Sequence, residues 1–268
     1  MSSKKTKLIN HIIIFIVFTI LIAVITLSIL YFKYIHKENN LVLYMNGDNT
    51  QKIYILGTIH EYHFKSYLNY SYLDVQNVIE NIRPDLLLLE VDQETYNEYG
   101  VVKSPVEMIP LWCYALEEGM SVKGVDWFEV TEKSRSWTTN KERDDHIFEN
   151  IMASVENEST VLIILGSTHR IEQANRFENS GYKKHEIFNK PAFFINESID
   201  KFEYPVNTVD ELEKQIEYWE TVALNKSIAV TTENSEGRKY WVNRYKKLTT
   251  SLQEIKEDII VPNLLEDK

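Results

Sequence analysis

A chain of 268 residues is long enough for one globular domain plus a further segment, and its 44% hydrophobic content supports a proper core. With 40 acidic against 29 basic residues the formal charge is −11, which excludes the basic footprint that nucleic-acid binding demands. The single cysteine, Cys113, excludes an intramolecular disulfide; beside Leu111 and Trp112 it reads as a small core residue.

The first element along the chain is an apolar run. Leu8 to Phe32 contains no Asp, Glu, Lys or Arg, and Ile12 to Phe32 is interrupted only by Thr19, Thr26 and Ser28. At ~1.5 Å per residue this core reaches about 31 Å, the thickness of a bilayer's hydrocarbon layer. A secretory signal peptide would share the basic start of Lys4, Lys5 and Lys7. Its apolar stretch should be shorter, however, and should end at small residues rather than at Leu30-Tyr31-Phe32-Lys33. The run therefore predicts a single-pass membrane anchor over 1–37, spanning about 8–32. The excess of lysines before it leans toward an extracytoplasmic domain.

Residues 38–52 read as a linker and domain entry, opening with Glu38-Asn39-Asn40. From Ile53 the chain alternates short apolar runs with helical patterns. Ile53–Leu56 reads as a buried strand, and Ser71–Ile82 as a helix with Val75, Val78, Ile79 and Ile82 on one face. Pro84 blocks that helix, and Leu86–Leu89 is an apolar run typical of a strand covered on both faces. Next come a helix near Val106–Glu118, a strand over Ser121–Val125, and a helix over Glu142–Glu156. A strand over Val161–Leu165 and a helix over Arg170–Asn179 complete the series. The alternation predicts an α/β domain over 53–205 with a mostly parallel sheet flanked by helices. Residues 206–268 read as a charged helical extension packed on that domain, without a readable role.

In open α/β sheets ligands bind outside the carboxyl ends of the strands. The residues just beyond each strand are therefore informative. The first strand runs into Gly57-Thr58-Ile59-His60, the second ends in Glu90, the third in Gly124-Val125-Asp126, and the fourth in Gly166-Ser167-Thr168-His169. Four strands thus deliver His, Glu, Asp and His toward one rim. The first and fourth also match position by position, so a strand followed by Gly-x-x-His occurs twice and predicts duplicated half-sites around one pocket.

These pieces, with Pro84-Asp85-Leu86-Leu87-Leu88-Leu89-Glu90 and Glu142-Arg143-Asp144, resemble the TraB/TIKI/GumN group of α/β proteins. That group is more distantly similar to ChaN-like haem-binding proteins and erythromycin esterases. The resemblance brackets roughly Ile53 to Tyr182. It implies a site in which both histidines and the glutamate are essential. In the TIKI branch that site is a metal-dependent peptidase; the TraB branch comprises membrane proteins that limit peptide-pheromone activity. Carried over, His60, Glu90 and His169 would be metal ligands or acid/base groups. Arg143 would stabilise an oxyanion, and Asp144 would orient it or a histidine. Two imidazoles and a carboxylate suit a divalent transition metal, with zinc, manganese and cobalt all compatible.

Glu61, His63 and Asp126 are additional candidates, and Gly57 and Gly166 allow the chain to approach a ligand closely. His60-Glu61-Tyr62-His63 is not a zincin motif, because position 64 is Phe where a second histidine would be needed. The leading expectation is a membrane-anchored, metal-dependent hydrolase acting on peptides or protein segments near the membrane surface. The alternatives are a binding protein that sequesters a peptide or haem-like ligand, and a metal-independent esterase.

Overall fold

The computed structural model describes residues 13, 15–25, 37–64, 70–128, 141–195, 204–230 and 235–265. Contacts divide the chain into two units, Met1–Asn39 and Asn40–Lys268. In the first unit residues 15–25 are helical and their apolar side chains are exposed, Phe15 at 71%. Among the described residues no helix is long and apolar enough to cross a membrane. The predicted span over 8–32 extends on both sides outside the described residues.

The second unit is an α/β domain built on a six-stranded mixed sheet. Its strands are β1 (Leu41–Met45), β2 (Lys52–Thr58), β3 (Leu86–Asp92), β4 (Val122–Asp126), β5 (Thr160–Gly166) and β6 (Lys183–His185), in the order β4-β3-β5-β2-β1-β6. The helices are α1 (Tyr72–Ile82), α2 (Gln93–Tyr99), α3 (Met108–Glu117), α4 (Lys141–Val155) and α5 (Ser167–Asn179). After these come α6 (Thr208–Tyr218), a π-helical turn at Trp219–Ala223, α7 (Leu224–Val230) and the long α8 (Ser235–Leu265).

The four strands β4, β3, β5 and β2 are mutually parallel, but β1 pairs antiparallel with both β2 and β6. The sheet is therefore mixed, with parallel pairing in the majority, and residues 41–45, within the stretch read as linker and domain entry, form a strand beside β2. The reason is the short turn from Asn46 to Gln51, closed by Asn49 N–H donating to Asn46 O at 3.1 Å. So short a connection can join only antiparallel neighbours.

Side-chain alternation sorts the apolar runs onto two cores. Leu87, Leu89, Leu162 and Ile164 pack with α1, α3 and the C-terminal helices, while Leu86, Leu88, Ile163 and Leu165 pack with α4 and α5. Period two then places Glu90 on the same face as Leu86 and Leu88, beneath the helices that carry Arg143 and His169. Helix α1 begins with a reciprocal capping box between Ser71 and Asp74 and ends at Arg83 in the left-handed region. Cys113 is buried in the first core, where burial pushes its thiol up to about 12, so it behaves as a packing residue.

Candidate active site

The carboxyl end of the sheet brings together every charged residue that the strand ends nominate. Glu90 is 1% exposed, and both of its oxygens are engaged. Oε1 accepts from Arg143 Nη2 at 2.9 Å, and Oε2 accepts from the backbone amide of Gly166 at 2.6 Å. Arg143 grips Asp126 with two further bonds, Nε to Oδ1 and Nη2 to Oδ2, each 2.8 Å. Burial opposes its charge, but Asp126 and Glu90 more than offset this and hold its pKa above the ordinary value. Asp126 is thus the clamp of Arg143, and its Oδ1 also accepts from the Trp127 amide at 2.9 Å.

His169 lies in the first turn of α5, 3% exposed. The sequence pattern starts that helix at Arg170; it starts at Ser167, which fixes the imidazole on a rigid element. Nδ1 donates to Asp144 Oδ1 at 2.7 Å, and Nε2 stands 3.7 Å from Glu90 Oε1. Gln173, one turn along, donates to the Asp144 backbone oxygen at 3.0 Å and holds the carboxylate's own backbone in place. Burial lowers the His169 pKa, but the Asp144 bond and the Glu90 charge outweigh it, so the net shift is upward.

His60 occupies the opposite wall. It opens a 3-10 turn over His60–Phe64, with φ of 55° in the left-handed region, where few non-glycine residues sit. Its Nδ1 donates to Glu107 Oε1 at 2.7 Å, and Thr58 Oγ1 donates to the same oxygen at 2.8 Å. Burial pulls the His60 pKa down, yet Glu107, with smaller help from Glu90 and Glu61, raises it to about 10. Burial would raise Glu107, and His60 instead draws it below the ordinary carboxylate range. Its second oxygen, Oε2, is buried without a hydrogen-bond partner among the described residues.

Glu107 is the candidate site residue that the sequence patterns miss. It is fully buried at the head of α3, where Met108 to Ala115 are all buried. A carboxylate placed immediately before the apolar stretch Met108–Ala115 is the signal that could have found it, since buried charges need a partner.

The remaining candidates take lesser roles. His63 is buried, accepts from Ile59 N–H through Nε2 at 3.0 Å and donates from Nδ1 to Tyr70 O at 3.0 Å. Burial lowers its pKa, and with both nitrogens engaged it braces the turn that carries His60 rather than meeting a ligand. Glu61 is exposed at the cavity lining.

The two glycines differ. A Cβ on Gly166 would lie 2.5 Å from His60 Cε1, so the glycine makes room for the ring. A Cβ on Gly57 would meet Arg170 Cδ at 2.9 Å, the flexible part of a long side chain. The copies are also out of step in the sheet: Gly57 pairs with Leu165, and Thr58 with Gly166. One histidine sits in a left-handed turn and the other in a helix. The sequence repeat therefore does not become a symmetric pair of half-sites, although both imidazoles reach one cavity.

That cavity is about 430 Å³ and is lined by His60, Glu90, Arg143 and His169, with Val106 and residues of α8 forming the facing wall. As arranged, the donors fit a resident metal poorly. Both Nδ1 atoms are tied to carboxylates, as in metal-ligating histidines. Yet Glu90 is committed to Arg143 and an amide, and among the described residues no three His, Cys, Asp or Glu side chains gather at metal-ligand spacing. What the arrangement offers chemically is two oriented imidazoles, a fixed guanidinium and a carboxylate that holds them in register. No protein-family profile, curated protein or solved structure matches this chain.

Proposed function

We propose that the protein is a hydrolase of acyl bonds, in esters or peptides, working by histidine acid–base chemistry. One observation carries the reading: two imidazoles, each tied through Nδ1 to a buried carboxylate, line one cavity on either side of Glu90. A carboxylate on Nδ1 fixes the tautomer and leaves Nε2 for proton transfer. His60, the more exposed of the two at 43% of its side chain, accepts the proton of an attacking water through Nε2 and passes it to the leaving group. His169 and Arg143, both fixed and buried, stabilise the negative charge that develops on the carbonyl oxygen. Glu90 positions Arg143 and the first turn of α5.

The apolar run over 8–32 supports placing this chemistry at a membrane, held by a single-pass anchor with the domain on the extracytoplasmic side. Peptides or protein segments near that surface are then the natural substrates, in line with the TraB/TIKI resemblance. A metal-dependent form of the reaction is the second reading, favoured by the carboxylate-tied Nδ1 atoms.

The test is hydrolysis of p-nitrophenyl esters and short peptides by the full chain, with and without a chelator, beside metal content. Activity that persists in chelator and falls in His60→Ala supports acid–base hydrolysis. Activity lost with a stoichiometric zinc, manganese or cobalt ion replaces it with the metal-dependent reading. Absence of turnover with every substrate contradicts both.

A further inference from the structure

Helix α8 presents a continuous stripe to the cavity. Arg244, Lys247, Leu248, Ser251, Leu252 and Ile255 all line it, at spacings of three and four residues that put them on one face. The stripe is divided along its length: cations at Arg244 and Lys247, aliphatic side chains from Leu248 to Ile255. Pro105 and Val106 add to the apolar part from the other side. Arg244, whose Nη1 donates to Tyr240 Oη at 2.8 Å, lines the same cavity as Arg143, so the cationic end shares the cavity with the proposed catalytic groups. Burial lowers its pKa, and the Arg143 charge acts in the same direction. Lys247 has no carboxylate paired with it among the described residues. The lining carries three fixed cations, Arg143, Arg244 and Lys247, against two carboxylates, Glu61 and Glu90, so in a chain of net charge −11 the cavity is locally net cationic, with its carboxylates away from the Lys247 end of the stripe in sequence. Its volume of about 430 Å³ lies within the usual range for small-molecule sites.

From this division we infer that the cavity recognises anionic amphiphiles: a carboxylate or phosphate group at the Arg244–Lys247 end and an aliphatic arm on Leu248, Leu252, Ile255 and Val106. The inference rests on the same site as the hydrolase reading and names its substrate class. An anion at the cationic end offsets the repulsion between Arg143 and Arg244. The arm gains from leaving water, at roughly 25 cal/mol per Å² of apolar surface removed.

The experiment is calorimetric titration of the full chain in phosphatidylcholine nanodiscs with hexanoate, hexyl phosphate, hexanol and acetate. Hexanoate and hexyl phosphate are expected to bind, with hexanol and acetate each at least about tenfold weaker because each lacks one half of the pharmacophore. Lys247→Glu should weaken hexanoate and hexyl phosphate about tenfold or more, whereas Lys246→Glu, an equal charge change at an exposed position off the stripe, should not. A second set of nanodiscs containing phosphatidylglycerol tells a lipid headgroup from a free ligand: competition there identifies the membrane as the source of the anion. Equal affinity for hexanol and hexanoate, or identical losses in the two lysine variants, overturns the inference. Hydrolysis of neutral p-nitrophenyl butyrate is read in parallel. Binding without hydrolysis removes the hydrolase reading alone, and hydrolysis without anion preference removes this one alone.

Discussion

At the scale of single residues the site is a set of charge pairs whose members depend on one another. Glu107 raises the pKa of His60 to about 10, above the ordinary histidine value of 6.5. A raised folded-state pKa means that the ion pair's stabilisation is complete below about 6.5 and is lost as pH climbs through about 10. Wild-type thermal stability should therefore fall over that alkaline window, and Glu107→Gln should flatten the fall. The His60 Cε1 proton resonance should titrate near 10 in the wild type and move toward the ordinary value in Glu107→Gln. If His60 acts as the base, kcat/KM should rise with pH through the same window, since only the deprotonated imidazole accepts a proton. A titration near 6.5 in both proteins would remove the pair from the account. Arg143 is tied to Glu90 and Asp126 with almost no exposure, so Arg143→Met leaves buried carboxylates without their cation. Unfolding free energy should drop by about 3–5 kcal/mol, measured by urea denaturation. Arg143→Lys should recover only part of it, because an ammonium cannot reproduce the two-pronged grip on Asp126.

At the scale of elements, the two strand–Gly-x-x-His copies make opposite forecasts. Gly166 has a φ of −53°, which alanine tolerates, yet its Cβ would strike the His60 ring. Gly166→Ala should thus fold normally while displacing His60, with activity down about 10²-fold, the scale of an ångström's misplacement. Gly57→Ala meets Arg170 Cδ and, at 3.1 Å, Ser167 Oγ, neither of them part of an imidazole, and should keep most of its activity. Steady-state kinetics with circular dichroism as a folding control checks both, and equal losses would restore a symmetric pair of half-sites.

The same elements show what a sequence can yield. β3 and β5 are legible because both faces are covered, which leaves continuous apolar runs. Glu90 stands out as the charge that ends such a run, and its convergence with His60 and His169 comes from the parallel order of β3, β5 and β2. β6 is not legible. Lys183 and Lys184 are exposed on an edge strand, and lysine there looks like loop although it serves to keep the edge from pairing further. β1 is within reach: Leu41 to Met45 is an apolar run followed by an Asn-Gly-Asp turn, but its closeness to the polar linker hides it. Glu107 belongs to neither pattern. Its partners arrive from β2 and the turn beyond it, a contact that no local spacing encodes.

At the scale of the whole molecule, a polar site at the end of the sheet is closed on one side by a helix from the far end of the chain. Trp241, Tyr245, Leu252 and Ile259 of α8 are buried in the first core, which anchors the stripe that lines the cavity. The charged C-terminal region thus has a defined place, one that its sequence does not announce. The apolar run over 8–32 predicts that the full chain stays with membranes through carbonate and high-salt washes; release by either would remove the anchor from the account. The central claim remains that His60 and His169 serve one hydrolytic cavity, and the most direct measurement is kcat/KM of the full chain and its His60→Ala and His169→Ala variants, in chelator, on an ester that the wild type turns over. The account predicts losses of about 10²–10⁴-fold in each variant, with the double variant little worse than either, as for groups that act as a unit. Full activity in either single variant, with the fold intact by circular dichroism, would contradict it.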